Sequence, residues 1–224
     1  MSLLIFLTGI IMAGYIFFPI LSWQIYFAPV FASNDLTVPI PNASIVGPNN
    51  LGSLVTSEIS NITGTDYSNA QTWFPNLKIE NNKPVKNIPF FNLSIPRLGI
   101  KDAVVSTTDY DLDKHLIDYG GTAIPPDIGN AVIFGHSTLP QWFNPKNYKA
   151  IFATTYRLGL GDKILITVAN VTYKYVIDSI TVVNPDNTSM FNQDVNNSYI
   201  TLITCTPPGT TWKRLVIKAR LVKI

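Results

Sequence analysis

From Phe90 onward the chain is a succession of short β-like runs. They are "FNLSI", "DAVVST", "NAVIFGH", "KILITVA", "VTYKYVIDSITVV", "SYITLITC" and "KRLVIKARLV", separated by Asn, Gly, Pro and Asp. Strands this short and this evenly spaced predict a mostly β fold, either a closed barrel or a sandwich. The pair "KILITVAN-VTYKYVID" predicts a hairpin that turns at Ala169-Asn170. Short helical turns are expected in "DYDLDKHL" and "NYKAIF".

The first 33 residues carry no charge, and the first charged side chain is Asp35. About 20 apolar residues span a bilayer, and Leu3 to Leu21 meet that length, with Trp23 and Tyr26 placed as interfacial anchors. A cleaved signal peptide would have a cationic start and a shorter apolar region. We therefore predict an uncleaved transmembrane anchor over 1–33, although the absence of flanking cations leaves its orientation open.

Residues 34–65 are rich in Asn, Ser, Thr, Pro and Gly, which predicts a flexible spacer outside the cytoplasm. The following stretch, "TDYSNAQTWFPN", predicts a short helix that begins at Thr65 or Asp66 and ends before Pro75. The domain that carries the function is expected over 66–224, with its core over 90–224.

The charged and metal-binding residues exclude several classes of function. The chain has 16 Lys and Arg and 14 Asp and Glu, so its net charge is close to zero, and the basic residues do not form the clusters typical of a nucleic-acid-binding surface. One Cys excludes an internal disulfide, and one Cys with two His makes a structural metal site improbable. The single Cys is then a buried inert thiol, an intermolecular bridge or a nucleophile.

Side-chain alternation predicts where this cysteine lies. In "YITLITC", Cys205 shares a face with Tyr199, Thr201 and Ile203, and in "KRLVIKARLV" the residues Leu215, Ile217, Ala219 and Leu221 form the apolar face. If the apolar faces fill a barrel, Cys205 and Arg214 lie on the outer surface of two neighbouring strands.

Cys205, His136 and Arg214 together suit acyl transfer through a thioester. An ordinary thiol is only a few per cent thiolate at neutral pH, and a nearby cation raises that fraction. His136 ends the strand "NAVIFGH", and Arg214 offers donors in a fixed fork for an oxyanion. Taken singly, each has a structural interpretation: a lone Cys is more often a small buried hydrophobe, a lone His is usually structural, and Arg214 suits a solvated strand.

The flanking residues resemble those of the sortases, the cysteine transpeptidases of bacterial surfaces. "TLITC" is similar to the family's Thr-Leu-x-Thr-Cys signature, "FGHS" to its Gly-His element, and "RLVIKARL" to the final strand that opens with the essential Arg. "LSIPRLGIKDAVV" resembles the first strands, and "GDKILI" a turn into a central strand. The resemblance covers about 90–224, and the tail "CTPPG…KRL" looks most similar to classes D and E.

The resemblance implies a closed β-barrel of about eight strands, with the site in an outer groove. Cys205 would attack the Thr carbonyl of a Leu-Pro-x-Thr-Gly-type sorting signal, His136 would serve as acid and base, and Arg214 would hold the oxyanion. Thr204 would help to shape the substrate groove. An amine of a cell-wall precursor or of a pilin would resolve the thioester. The partners implied are thus surface proteins with such a signal, at the cell membrane, with no cofactor.

Two other functions remain possible at this point. A non-catalytic surface β-domain fits the anchor, spacer and strands equally well, and it predicts a buried Cys205 far from His136 and Arg214. Papain-like peptidases and L,D-transpeptidases are disfavoured because their Cys-Gly-Ser-Cys-Trp and Ser-His-Gly-Cys runs are absent. His115 is expected to be structural, and Arg220 lies about 20 Å along the strand from Arg214, too far to replace it.

Overall fold

A computed structural model describes residues 66–74, 77 and 88–222, together with scattered positions between 6 and 18. The scattered positions, which include Phe6, Met12 and Phe18, are helical and exposed. Among the residues described, no helix is both long enough and apolar enough to cross a bilayer. Most of the predicted anchor over 1–33 and the whole of the predicted spacer over 34–65 lie outside the described residues.

Residues 88–222 form a closed barrel of eight strands in the order β1-β2-β3-β4-β7-β8-β6-β5. The strands are β1 (Phe90–Ile95), β2 (Ile100–Ser106), β3 (Leu116–Asp118), β4 (Gly129–Phe134), β5 (Lys163–Val168), β6 (Val171–Val183), β7 (Ser198–Thr206) and β8 (Lys213–Leu221). Pairing of β1 with β5 closes the ring. The predicted mostly β barrel is therefore confirmed.

Alternating side chains fill the barrel, as the sequence pattern predicts. In β1 the buried positions are Phe91, Leu93 and Ile95, and they meet Leu202 of β7 and Ile217 of β8 in one inner core. Eight strands enclose a space that side chains alone fill. The interior is consequently packed, and the barrel leaves the outer faces of its strands for a site.

Local turn chemistry sets the β5–β6 hairpin. Ala169 and Asn170 both have positive φ, 47° and 67°, as the two central residues of a type I′ turn require. The hairpin predicted at these residues is confirmed.

The predicted helical turns take other forms. "DYDLDKHL" forms hydrogen-bonded turns that lead into β3, and "NYKAIF" forms turns before a 3-10 helix at Thr155–Arg157. The helix expected before Pro75 is a 3-10 helix over Ala70–Trp73, which is capped by the Asn69 side chain rather than by Thr65 or Asp66.

A second apolar layer covers part of the barrel's outside. This outer cluster joins the outward side chains of β4, β7 and β8 to the 3-10 helix, and its members include Trp73, Phe74, Phe134, Ile203, Cys205 and Val216. Residues 66–74, here called the covering segment, therefore lie over the strands that carry the candidate site.

Candidate active site

Cys205 and Arg214 face each other across the β7–β8 pair. The antiparallel register places Cys205 opposite Arg214, next to Thr204 opposite Leu215. Leu215 belongs to the inner core, whereas Cys205 belongs to the outer cluster. The predicted placement of Cys205 and Arg214 on the outer face of neighbouring strands is correct.

His136 reaches the same end of the barrel because β4 runs parallel to β7. Phe134 pairs with Ile203, and the Gly135 amide donates to the Ile203 carbonyl at 3.1 Å. His136 follows Phe134 by two positions, as Cys205 follows Ile203, so the two residues lie at corresponding places on adjacent strands. The topology thus brings together the three residues that the sequence singled out.

Gly135 allows His136 to take this place. A Cβ at this position would lie 2.5 Å from a ring carbon of Phe152 and 2.7 Å from Leu116. Contacts that short force the neighbouring atoms to move in a close-packed interior. The glycine before His136 is therefore required by the packing of Phe152.

Side-chain hydrogen bonds join the Cys strand to the His loop. Thr204 Oγ1 donates to the Gly135 carbonyl at 2.7 Å, and Ser137 Oγ donates to the Cys205 carbonyl at 2.6 Å. Thr204 is buried, and its hydroxyl engages the His loop instead of lining a groove. In this state Thr204 positions His136, and its contact with substrate stays a prediction.

The covering segment closes the site. Trp73 lies against both functional partners of the cysteine: its ring centroid is 5.7 Å from that of His136 and 5.4 Å from the Arg214 guanidinium carbon. Phe74 lies 5.7 Å from the same carbon. Cys205 is only 6% exposed and Arg214 only 1%. The outer groove expected at this place is therefore occupied by Trp73 and Phe74 in this structure.

Arg214 is buried without a carboxylate partner among the described residues. Nη2 donates to the Trp73 carbonyl at 3.0 Å, and Nη1 donates to the Thr211 carbonyl at 2.9 Å. Aromatic faces attract a guanidinium, and carbonyl oxygens accept its protons, so these groups compensate part of the charge. Nε has no hydrogen-bond partner. The Arg214 guanidinium can therefore donate to a substrate oxygen through Nε, or through Nη2 if the hydrogen bond to the Trp73 carbonyl breaks.

Burial sets the protonation of the cysteine and the histidine. It raises the pKa of Cys205, against the opposite pull of the Arg214 charge. Burial likewise lowers the pKa of His136, while the Asp113 carboxylate raises it and Lys149 lowers it. At neutral pH the covered site therefore holds a thiol and a neutral imidazole.

No group of His, Cys, Asp and Glu within the described part of the chain is arranged to hold a metal ion. An open cavity of about 700 Å³ lies beside the site, lined by acidic residues that include Asp66, Asp109 and Asp111, and by neither Cys205 nor Arg214. His115 binds Asp109, with Nε2 3.1 Å from the carboxylate, and Arg220 is exposed opposite Tyr199.

Sequence reasoning missed the aromatic cover and the carboxylate beside His136. Trp73 and Phe74 come from a segment more than a hundred residues away in the chain, and strand alternation carries no information about them. The Trp-Phe pair in the stretch that precedes the first strand was the one available signal. The alternative non-catalytic surface β-domain predicts a buried Cys205 remote from its partners; Cys205 is buried, but it is paired with Arg214.

Comparisons with known proteins agree with this geometry. The family model of the sortase domain matches residues 93–222. A lid mutant of sortase A from Corynebacterium diphtheriae is 32% identical, with a TM-score of 0.53, over 64% of this chain and 75% of that one. A sortase D5 transpeptidase from Clostridium perfringens is 27% identical, with a TM-score of 0.51, over 65% of this chain and 83% of that one. A search of curated proteins gave no match.

Proposed function

This chain belongs to the sortase family of cysteine transpeptidases, and on that premise we propose that it cleaves a Leu-Pro-x-Thr-Gly-type sorting signal between Thr and Gly. The acyl group passes to Cys205 and then to an amine, either of a cell-wall precursor or of a pilin. The observation that carries the proposal is the register that sets Cys205 against Arg214, with His136 two residues after the end of β4, beside the Cys strand.

Acylation breaks one amide bond and forms one thioester. The Cys205 thiol first gives its proton to the neutral His136 imidazole, and the resulting thiolate attacks the Thr carbonyl carbon, whose oxygen takes up the negative charge. Arg214 donates to that oxygen in place of the Trp73 carbonyl, with which it now bonds at 3.0 Å. As the tetrahedral intermediate collapses, the His136 imidazolium gives its proton to the leaving glycine amine.

Deacylation runs the same steps with a new amine. The neutral His136 imidazole accepts a proton from the attacking amine, whose nitrogen forms an amide with the Thr carbonyl. The thioester bond breaks, and Cys205 leaves as a thiolate beside the permanent charge of Arg214. The His136 imidazolium then returns its proton to the Cys205 thiolate, which restores the starting thiol and neutral imidazole.

We further propose that the apolar residues 1–33 anchor the enzyme in the cell membrane as a single span. Residues 34–65 would then extend as a spacer that places the barrel outside the cytoplasm. Support comes from the sequence: 33 uncharged residues, followed by a segment rich in Asn, Ser, Thr, Pro and Gly.

A peptide panel tests the proposed reaction. Purified full-length protein in detergent is incubated with fluorogenic Leu-Pro-x-Thr-Gly peptides, with and without an amine acceptor, and both cleavage and the new amide are measured. We expect activity to be lost in Cys205→Ala and in His136→Ala, because one removes the nucleophile and the other the proton carrier. Variants that cleave like the wild type would refute the assignment.

A further inference from the structure

A carboxylate lies beside His136. Asp113 belongs to the loop between β2 and β3, and its Oδ1 is 3.5 Å from His136 Nε2. The His136 side chain is 17% exposed and that of Asp113 is 36% exposed, so the pair is partly shielded from water. His136 Nδ1 makes no hydrogen bond with any described residue.

The loop that carries Asp113 is braced along its length. Ser106 Oγ donates to Asp109 Oδ2 at 2.9 Å, the Asp111 amide donates to Asp109 Oδ1 at 2.9 Å, and the Asp113 amide donates to Asp111 Oδ1 at 3.1 Å. Side chains that bond the backbone two residues on fix a turn. The position of the Asp113 backbone is therefore set by the loop itself, independently of His136.

A lysine holds the other oxygen of the same carboxylate. Lys149 Nζ lies 2.8 Å from Asp113 Oδ2. Lys149 comes from the turns after the His loop, where the Phe152 amide donates to the His136 carbonyl at 3.0 Å. One short stretch thus fixes both the His136 backbone and the carboxylate beside its ring.

The charges around His136 act in opposite directions. Asp113 raises the pKa of His136 most strongly, with smaller contributions from Asp111 and Asp66, whereas burial and the Lys149 ammonium lower it. Asp111 is itself paired with Lys114 at 2.7 Å. Asp113 is therefore the carboxylate that both contacts the imidazole and counteracts its burial.

We propose that Asp113 is a positioning residue for the acid–base step: held by Lys149, its carboxylate fixes Nε2 of His136 and leaves Nδ1 to exchange protons with the substrate. At 3.5 Å the contact is an ion pair with the protonated ring, and a carboxylate so placed favours one orientation of the imidazolium. The proposal rests on the proposed role of His136, but the contact itself is testable without any turnover.

The titration of His136 tests the contact. The chain has two histidines, so the imidazole Cε1–H correlations of the full-length protein in detergent give two NMR signals, and His115→Gln assigns them. We expect Asp113→Asn to lower the pKa of His136, because a neutral amide no longer favours the imidazolium. Asp186→Asn removes an exposed carboxylate on another loop that does not contribute to the pKa of His136, and it is expected to leave the His136 titration unchanged.

Peptide kinetics test the consequence for catalysis. In Asp113→Asn, kcat is expected to fall about tenfold with little change in KM, and its pH profile to shift in the direction of the NMR titration. Asp113→Glu restores a carboxylate and is expected to recover most of the loss. Wild-type titration and kcat in Asp113→Asn would overturn the proposal. A shifted titration in a chain that never turns over any sorting peptide would instead refute the proposed function.

Discussion

At the scale of single residues, the site is governed by how Arg214 is buried. An arginine stays charged in proteins, and an isolated buried charge is costly unless other groups compensate it. Here backbone carbonyls and the faces of Trp73 and Phe74 do so. None of these partners is an anion, so the guanidinium is not neutralised and remains free to attract one. In the proposed reaction, the oxyanion of the substrate beside Cys205 would be that anion.

Arg214→Lys is expected to lower kcat about 100- to 1000-fold, although the positive charge is kept. A lysine ammonium lacks the planar fork that holds one oxygen while it keeps its backbone contacts. The measurement is transpeptidation of the best peptide of the panel, with the melting temperature recorded for each variant. Arg220→Lys, on the exposed part of the same strand, is the matched control and should behave like the wild type. Equal activity of both variants would remove Arg214 from the mechanism.

The buried Asp118 carboxyl is expected to make the free energy of unfolding depend on pH, independently of catalysis. Burial raises the pKa of this carboxyl well above its usual range, and Thr122 Oγ1, 3.3 Å away, donates a weak hydrogen bond to it. The folded state therefore keeps a proton that the unfolded chain releases, so stability falls as pH rises above the unfolded pKa.

Asp118→Asn is expected to stabilise the protein at pH 7 by about 1–3 kcal/mol, because an amide fills the same space without ionising. The gain should shrink as pH falls toward 4, where the unfolded carboxyl is also protonated. Urea unfolding at several pH values measures it, and exposed Asp186→Asn serves as control. A destabilised Asp118→Asn at pH 7 would contradict this account.

At the level of single residues, the sequence predicted the position of a side chain correctly where that position depends only on the alternation of side chains along one strand. The outer-face positions of Cys205 and Arg214 follow from period-2 patterns that also bury Leu215 and Ile217. The same pattern did not predict the hydrogen bond from Thr204 to the Gly135 carbonyl, because that contact depends on which strand lies next to β7.

At the scale of elements, the first half of the covering segment is held by the loop between β2 and β3. The Leu112 amide donates to the Ser68 carbonyl at 2.9 Å, and the Ala70 amide donates to the Tyr110 carbonyl at 3.0 Å. Trp73 and Phe74 then complete the outer cluster. Cys205 lies in this cluster, and burial raises the pKa of its thiol.

Trp73→Ala is expected to speed alkylation of Cys205 by iodoacetamide about tenfold or more at neutral pH. Removing the indole admits water to the sulfur while Arg214 remains, so the thiol ionises more readily. Because the chain has one cysteine, the total alkylation rate reports this site alone. Trp142→Ala removes a 64% exposed indole outside the covering segment and is the control. An unchanged rate in Trp73→Ala, with the fold intact by circular dichroism, would show that the segment does not limit access.

The strands were largely predictable and the connections were not. β6 spans the predicted run "VTYKYVIDSITVV", and its hairpin partner and turn also agree. β3 was missed because all three of its residues are buried and so show no alternation. The predicted helical turn just before it contains aspartates whose side chains cap the backbone instead.

At the scale of the whole molecule, function depends on strand order. β4 and β7 are far apart in sequence but adjacent and parallel, and β8 closes on β7 from the other side. The Cys strand therefore lies between β4, whose last residue precedes His136 by two positions, and β8, whose second residue is Arg214. The strand pattern alone predicted a barrel or a sandwich, and the family resemblance implied the closed barrel and this site, but neither predicted the aromatic side chains that cover it.

The proposed membrane anchor makes a prediction for the intact chain. Expressed in a bacterial host, the full-length protein should sediment with membranes and resist a carbonate wash, because about 20 apolar residues give an essentially permanent insertion. A chain that starts at residue 34 should stay in the supernatant. A full-length protein found in the soluble fraction would contradict the proposed anchor and leave the catalytic assignment untouched.

The most direct test of the central claim is the mass of the enzyme during turnover. Full-length protein is mixed with a Leu-Pro-x-Thr-Gly peptide without an amine, quenched in acid, and measured intact and after digestion. The account predicts an added mass equal to the peptide up to its Thr, located on Cys205, removed by hydroxylamine and absent in Cys205→Ala. Cleaved peptide with no adduct on Cys205, or an adduct on another residue, would contradict it.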